Sequence, residues 1–581
     1  MRTAFFAVPY ILCVLWASAL PAFAIDREAF TFTKYDLDVQ VEPAQQRLAV
    51  RGKITLRNDS PAAQRSFSLQ ISSSLDWRSI QVGGKPVQFV TQPYASDIDH
   101  TGALSEAIVA LPQEIAPRGT LELEIGYEGV IVLDTTRLTR IGVPEEKAKH
   151  SDWDEIGKAS TAVRGAGYVA WYPVAMESAN LSDANSVFET VARWKGREQN
   201  SSMKINLCSI GIADSISAGI MNDPQPVVAP ASRPAEGVFT TCSVHIYPRM
   251  GQTAPLFSGA WRADYSELSR PEFNLLYLSA HKSAADNFVL AADLATPLVK
   301  EWFGTPRQNI NVVELNDSEA ASFESGNVLL TSLAKVDSRL YELTAVHELT
   351  HAAFPSPRPW VYEGLAHFAQ ALDREQHNDR QGALDFMALF RATIGDAEKP
   401  ANAGRNRSAP EQSLIHTSIE EFYRSKAMFV WWMLRDMIGD DALKKALASY
   451  QPEQDNDPAY IQQLLAAQSK RNLQWFFDDW VYADRGLPDF HVESAHARAG
   501  VGGGYFVSVT IENLGNAGAE VPVVLKAETG EVTRRLEVHA KSKISIRIDI
   551  PSKPEQIVIN DGSVPESDIS NNTFKISPSD L

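Results

Sequence analysis

The sequence has few cysteines and no surplus of basic charge. Its 581 residues include three cysteines, and 54 lysines and arginines stand against 72 aspartates and glutamates, for a formal net charge of −18. An acidic, unpatterned balance of this kind argues against nucleic acid or anionic lipid as a partner. At 44% hydrophobic residues the chain can form several packed cores, so about three domains are expected.

Long apolar runs are also missing, except at the N-terminus. There, Met1-Arg2 precedes an apolar run from Ala4 to Leu20, which is followed by Ala22-Phe23-Ala24. This order is typical of a secretory signal peptide cleaved after Ala24, so we expect an exported protein, periplasmic or secreted, without stable membrane insertion. A retained membrane anchor is the alternative, but the run is short for a span and ends in a good cleavage site.

Two cysteines remain once the signal peptide, with Cys13, is removed. Cys208 and Cys242 both lie in strand-like runs. In an oxidising compartment, such a pair forms either one disulfide or two buried thiols, and the sequence leaves both open. Neither their spacing nor their context suggests a metal held by cysteine.

Hydrophobic patterning divides the chain behind the signal peptide, 1–24, into three regions. Residues 25–268 alternate between apolar and polar, which predicts an antiparallel β domain. Residues 269–488 mix strand-like runs with helical periods, and 489–581 return to the alternation of a small β-sandwich. The predicted fold class is therefore multidomain α+β.

Start and stop signals define several elements of the middle region. Helices are predicted over about 283–303, 337–354 and 418–438, and strands over 310–315 and 325–332. Ser418 and Glu421 have the spacing of a capping box for the last of these helices, which ends at Gly439.

The candidate site centres on His347-Glu348-Leu349-Thr350-His351. On a helix, His347 and His351 lie one turn apart on the same face, the geometry with which two imidazoles hold one Zn²⁺. Glu348 is placed to act as a base toward water at the metal, and Glu363, on the next predicted helix, is the candidate third ligand. A chance pair of surface or core histidines is the alternative, but only twelve histidines occur in the whole chain.

These residues resemble the gluzincin metallopeptidases, and most closely the aminopeptidase N family of zinc aminopeptidases. The motif from His347 to His351 is similar to the family's metal helix, and Glu363-Gly364-Leu365-Ala366 to the segment with its third ligand. Only eleven residues separate His351 from Glu363, fewer than in the family, and three prolines lie among them. A compact helical hairpin would still bring Glu363 to the histidines. The resemblance implies a saddle-like N-terminal β domain and a thermolysin-like catalytic domain.

The resemblance also implies two substrate-contacting residues. Glu324, 23 positions before His347, is similar to the family's glutamate that binds the substrate amine, although its neighbours differ from the family motif. Tyr423 is similar to the tyrosine that supports the oxyanion, but its segment is one residue longer. On a regular helix that insertion would rotate Tyr423 by about 100° away from the site. His367 shares a helix face with Glu363 and is expected to pack near the site rather than to bind the metal.

The sequence thus predicts an exported zinc metallopeptidase with one Zn²⁺ per chain and peptides as substrates, an aminopeptidase in the interpretation we favour. An endopeptidase is the alternative if Glu324 does not face the site. A non-catalytic scaffold that binds peptides or proteins is a further alternative, against which Glu348 argues because a structural zinc does not need it. No feature indicates an oligomeric state.

Overall fold

The structure is a computed structural model, and it describes most of the chain. The described residues are 25–158, 160–183, 186–210, 215–217, 240–251, 255–261, 264–334, 337–398, 413–500 and 503–577. The predicted signal peptide, 1–24, lies outside them. Within the described ranges, every helix is too short or too polar to cross a bilayer. Sheets and helices are combined in several packed units, so the predicted multidomain α+β class is confirmed.

The N-terminal region is built on three β-sheets. Its strands are β1 (Phe30–Glu42), β2 (Arg47–Asn58), β3 (Gln64–Ser72), β4 (Leu75–Val82), β5 (Lys85–Pro86), β6 (Gln88–Ala95), β7 (Ala103–Ile115), β8 (Thr120–Val130), β9 (Glu155–Ile156), β10 (Ser160–Val163), β11 (Ser202–Ile210), β12 (Ser215–Ser217), β13 (Thr240–Tyr247) and β14 (Phe257–Trp261). The sheet orders are β13-β11-β1-β2-β8-β4-β5, β3-β7-β6 and β12-β14-β10-β9. Pairing is antiparallel except between β1 and β11, which run parallel. In β1, alternate residues such as Tyr35, Leu37 and Val39 are buried, as the sequence pattern predicts.

Three α-helices interrupt the described part of this region, which the sequence pattern had assigned to strands alone. They are α1 (Thr136–Arg140), α2 (Glu145–Ala148) and α3 (Ser186–Glu198). The longest, α3, buries Val187, Thr190, Trp194 and Glu198. The spacing of these four residues follows the helical period. This helix was not predicted from the sequence because it is one amphipathic stretch among segments that alternate like strands.

Cys208 and Cys242 form a disulfide between neighbouring strands. The two residues lie opposite each other in the antiparallel pairing of β11 with β13, with their Cα atoms 4.1 Å apart. Of the two alternatives that the sequence left open, the structure has the bonded one.

The middle region joins a five-stranded sheet to a group of helices. Its elements are β15 (Tyr265–Ser269), β16 (Phe273–Leu278), α4 (Lys282–Phe303), β17 (Ile310–Glu314), β18 (Phe323–Ser325), β19 (Val328–Thr331), α5 (Ser338–Ala353), α6 (Pro359–Ala388), α7 (Arg391–Ala397), α8 (Ala427–Ile438), α9 (Asp440–Ala448), α10 (Tyr460–Ser469) and α11 (Gln474–Phe477). Strands run in the order β15-β16-β17-β19-β18, with the central three parallel and both edge strands antiparallel. The edge strand β18 faces the helices that carry the candidate site.

Two sequence predictions in this region are corrected. The strand predicted over 325–332 is present as β19 but begins later, because Gly326 turns the chain with a φ of +63° between β18 and β19. The helix predicted from Ser418 instead begins as a π-helix over Glu421–Lys426 before α8. Among the described residues, no side chain caps the start of this π-helix and no hydrogen bond joins Ser418 to Glu421, so the predicted capping box does not form.

The C-terminal region is a two-sheet sandwich, as predicted. It comprises β20 (Phe490–Ala499), β21 (Tyr505–Asn513), β22 (Ala519–Ala527), β23 (Glu531–Val538), β24 (Lys543–Ile550), β25 (Pro554–Ile559) and β26 (Thr573–Lys575). The sheets have the orders β20-β21-β24 and β23-β22-β25-β26. Their inner face shares one apolar core with the helices of the middle region, and the Trp480 indole donates to the Gly518 carbonyl at 2.7 Å.

Candidate metal centre

A helical hairpin, α5 followed by α6, forms the base of the site. Helix α5 begins at Asp337, whose carboxylate accepts the Arg339 N–H at 2.9 Å, and it ends before the proline-rich connection. Helix α6 begins with Pro359 at its first position, where no amide hydrogen is needed. The short connection therefore makes a tight turn between two packed helices.

Three side chains of this hairpin converge on one point. The Nε2 atoms of His347 and His351 lie 2.9 Å apart, and each is 3.9 Å from a carboxylate oxygen of Glu363. All three side chains are largely buried. Burial lowers the pKa of the His351 imidazole, with His347 adding to the effect, which favours the neutral form that binds metals. The eleven-residue connection thus brings Glu363 to the histidines despite its length.

Glu348 lies beside this group as a buried carboxylate without a protein partner. It is 2% exposed, and neither of its oxygens has a hydrogen-bond partner among the residues that the structure describes. Burial raises the pKa of the Glu348 carboxyl, and the negative charge of Glu324 raises it further. An unpaired carboxylate in such a place is costly unless a donor occupies the space next to it. The donor set of two imidazoles and a carboxylate, with this acceptor alongside, fits Zn²⁺ with a water.

Glu324 reaches the same point from the opposite wall. It lies on β18, and its Oε1 is 3.2 Å from Nε2 of His347. Together with His347, His351 and Glu363 it forms one group whose ligand atoms all lie within 4.8 Å of each other. Glu324 therefore faces the site, the condition on which the sequence-based choice between exopeptidase and endopeptidase depended.

Arg424 belongs to the site, but it was not identified from the sequence. Its guanidinium donates from Nε to Glu363 at 2.9 Å, from Nη2 to Glu324 at 2.7 Å and from Nη1 to Glu420 at 2.5 Å. Burial works against the charged Glu324, but His347 and Arg424 outweigh it and hold the pKa of the Glu324 carboxyl well below its ordinary value. The only signal in the sequence was that Arg424 follows the candidate Tyr423.

The π-helix explains how the longer Tyr423 segment is accommodated. A π-helical turn closes over one residue more than an α-helical turn, so it absorbs an inserted residue locally. Tyr423 consequently lines the same cavity as the metal group instead of turning away from it. Burial raises the pKa of the Tyr423 hydroxyl, which keeps it a proton donor at neutral pH.

Two aromatic side chains pack around the histidines. The Tyr362 ring stacks on the His351 imidazole with centroids 3.7 Å apart, and its hydroxyl donates to the Gly326 carbonyl at 3.4 Å. The His367 ring lies 5.3 Å from that of His347 and is not part of the metal group. His367 thus packs beside the site, as expected from the sequence.

Gly364, next to the ligand Glu363, marks a close approach of two helices. A Cβ atom at this position would lie 2.7 Å from the Ala427 Cβ and 3.1 Å from the Trp431 ring. Contacts this short require a neighbour to shift, so only glycine lets α6 lie this close to α8.

A cavity of about 550 Å³ opens over the four potential metal ligands Glu324, His347, His351 and Glu363. The middle region contributes Glu324, Glu420 and Tyr423 to its wall, and the N-terminal region contributes Tyr168 and Lys195. The Tyr168 ring meets Phe323 of β18 edge to face at 5.3 Å. This volume is in the range of sites for small ligands and short peptides.

The sequence matches no protein-family model and no curated protein, whereas solved structures do match the fold. Aminopeptidase A from Legionella pneumophila, in complex with aspartic acid, is similar with a TM-score of 0.57 and 12% identity, over 93% of this chain and 59% of that chain. An M1 zinc metallopeptidase from Deinococcus radiodurans has a TM-score of 0.46 and 13% identity, over 76% and 91% of the two chains. A mutant of it bound to a Tyr-Ser-Ala substrate has a TM-score of 0.48 and 14% identity, over 80% and 96%.

The first of these structures establishes the fold of this chain. The fold expected from the resemblance is confirmed, since this chain shares its fold with the Legionella aminopeptidase A, and the chain spans 59% of the length of that protein.

Proposed function

We propose that this protein is a zinc-dependent metallopeptidase. The observation that carries the proposal is the convergence of His347, His351 and Glu363 beside the buried Glu348, all open to one cavity. Among the described residues, the Glu348 carboxylate has no hydrogen-bond partner. The shared fold supports it. A structural zinc site would have no use for a base such as Glu348.

The side chains of the site have distinct roles in this proposal. His347, His351 and Glu363 would hold one Zn²⁺, which when bound polarises the scissile carbonyl and lowers the pKa of water. Glu348 takes the proton of the attacking water and passes it to the leaving amine. The Tyr423 hydroxyl donates to the oxygen of the scissile carbonyl as negative charge develops on it. Arg424 positions Glu363 by its 2.9 Å hydrogen bond.

The substrate class we propose is peptides with a free N-terminus, which makes the enzyme an aminopeptidase. Glu324 and Glu420 place negative charge on the cavity wall, where an α-ammonium group of a substrate can bind. The size of the cavity suits a short peptide rather than a folded chain.

One observation favours an endopeptidase as the second candidate. Glu324 already accepts a hydrogen bond from Arg424 at 2.7 Å, so a substrate amine has to share that carboxylate with a resident cation. If Arg424 keeps Glu324 occupied, the cavity holds no free anchor for an amine, and an internal peptide bond becomes the better substrate.

Matched free and N-acetylated peptides separate the two candidates. We expect the wild type to cleave free peptides, to lose activity with a chelator, and to leave acetylated peptides intact. Glu324→Gln should remove roughly 2–5 kcal/mol of transition-state binding to free peptides, and their kcat/KM should fall accordingly. Glu267→Gln, on the opposite edge of the same sheet, is the control and should change nothing. Equal cleavage of acetylated peptides at internal bonds would identify an endopeptidase.

Export is part of the proposal. The Cys208–Cys242 disulfide supports it, because disulfides persist in oxidising compartments. N-terminal sequencing of the protein recovered from cell fractions should find Ile25 as the first residue outside the cytoplasm. Recovery of the uncleaved chain in the membrane fraction would mean that the N-terminal run is an anchor.

A further inference from the structure

A second cluster of potential ligands lies on the same helical hairpin. Glu342 of α5 approaches Asp373 and His377 of α6, and one ligand atom of each lies within 4.8 Å of the others. Glu342 precedes His347 by five residues, a rise of about 7.5 Å along the helix. Asp373 follows Glu363 by ten residues, or about 15 Å. The cluster is thus separate from the candidate metal centre, and its existence does not depend on the proposed function.

A main-chain carbonyl determines which ring nitrogen of His377 carries the hydrogen. Its Nδ1 lies 2.9 Å from the Asp373 carbonyl oxygen, which can only accept, so Nδ1 carries the hydrogen. In a neutral imidazole, Nε2 then presents a lone pair, and Oε1 of Glu342 lies 3.3 Å from this nitrogen. Two acceptors therefore lie close together, which is favourable only when a cation or an additional proton is shared between them. Metal-binding histidines commonly use this arrangement of one donated hydrogen and one free lone pair.

Asp373 supplies an independent observation that points to a ligand. Its side chain is 3% exposed, and its Oδ2 has no hydrogen-bond partner among the described residues. Oε1 of Glu342, in a side chain 13% exposed, likewise accepts no hydrogen bond there. Burying carboxylate oxygens without donors is costly, and a divalent cation shared by both carboxylates would remove that cost.

We propose that Glu342, Asp373 and His377 form a second metal site, which binds divalent ions of the zinc type and ties α5 to α6. The imidazole selects this class, since Ca²⁺ and Mg²⁺ prefer oxygen ligands throughout. His377 is 46% exposed, so water completes the coordination and the ion exchanges with solvent. The ion holds together the two helices that carry the candidate ligands, and on α5 it binds about one and a half turns before His347.

Measuring the metal content of five untagged proteins tests the site. After equilibrium dialysis against Zn²⁺, elemental analysis should find about two ions in the wild type, one in His377→Ala, one in His351→Ala and none in the double variant. His496→Ala, an exposed histidine on β20, is the matched control and should keep both. Adding Zn²⁺ should raise the Tm of His351→Ala, and His377→Ala should abolish that rise in the double variant.

The outcomes separate this inference from the proposed function. If His351→Ala binds no ion, or if His377→Ala keeps both, the second site does not exist. The contact between His377 and Glu342 is then an ion pair of a protonated imidazole. If His351→Ala retains both ions, the proposed catalytic centre fails while the second site stands. Asp373→Asn repeats the test with a nearly isosteric side chain, should His377→Ala fail to fold.

Discussion

The two walls of the candidate site are built in different ways. On one side, the α5–α6 hairpin supplies His347, His351 and Glu363 from a single continuous stretch. On the other side, Glu324 comes from an edge strand, Tyr423 and Arg424 from a π-helix, and Lys195 from α3 of the N-terminal region. The first wall is a local arrangement, and the second exists only when distant segments fold together.

This difference determines what holds each wall in place. Helix geometry alone sets His347 and His351 one turn apart. The segment before β18, in contrast, is held by the N-terminal region. The Trp153 indole donates to the Ala321 carbonyl at 2.9 Å, and the Ala321 N–H donates to the His150 carbonyl at 2.7 Å. Metal binding should therefore tolerate changes in the N-terminal region better than substrate recognition does.

Removing the base on the hairpin should give the largest effect. Glu348→Gln keeps the size of the side chain but cannot accept the proton of water, so kcat should fall roughly 10²-fold or more. The zinc content should stay unchanged, because Glu348 is not a ligand. Peptide hydrolysis and elemental analysis of the same sample measure both. The control is Glu301→Gln, an exposed glutamate on α4. Wild-type turnover in Glu348→Gln would contradict the assigned role.

The second prediction tests the wall of the site that distant segments form together. Tyr423→Phe removes one hydroxyl, and kcat should fall on the order of 10²-fold with little change in KM, since the hydroxyl acts in the transition state. Metal content should again be unchanged. Tyr505→Phe, in the C-terminal sandwich, serves as the comparison. An unaltered kcat would show that lining the cavity is not enough to bring Tyr423 to the reacting carbonyl.

Arg424 joins the two walls, and its replacement should give the smallest of the three effects. Arg424→Met leaves Glu363 without its donor, so the affinity for Zn²⁺ should fall about 10–100-fold. Arg424→Lys restores the charge but not the fork that bridges two carboxylates, so we expect only partial recovery. Competition with a chromogenic chelator measures both, with exposed Arg534→Met as control. Equal affinities in all four proteins would mean that the hairpin alone sets the metal site.

The same contrast explains which residues could be predicted from the sequence. His347, Glu348, His351 and Glu363 follow from helical spacing and ligand chemistry, and the structure brings them together. The alternation in β1 and in the C-terminal strands predicted their buried faces in the same way.

Residues placed by distant contacts were harder to predict. Glu324 was identified only through a family resemblance, since a single strand glutamate carries no pattern of its own. Arg424 was missed because nothing in the local sequence distinguishes a cation that contacts three carboxylates from one on the surface. Helix α3 was missed because its single amphipathic stretch lies among segments with the alternation of strands. The π-helix was missed because the additional residue in the Tyr423 segment was placed on a regular α-helix, where it rotates the side chain by about 100°.

The close approach at Gly364 has a consequence for how this chain can vary. Any larger residue there must push α6 away from Ala427 and Trp431, and the displaced helix takes Glu363 with it. Gly364 has no side chain with which to bind a metal or a peptide, yet a library randomised at this codon and selected for activity should return glycine as consistently as it returns glutamate at 363. Mutational tolerance in this protein is therefore set by helix separation as much as by ligand chemistry.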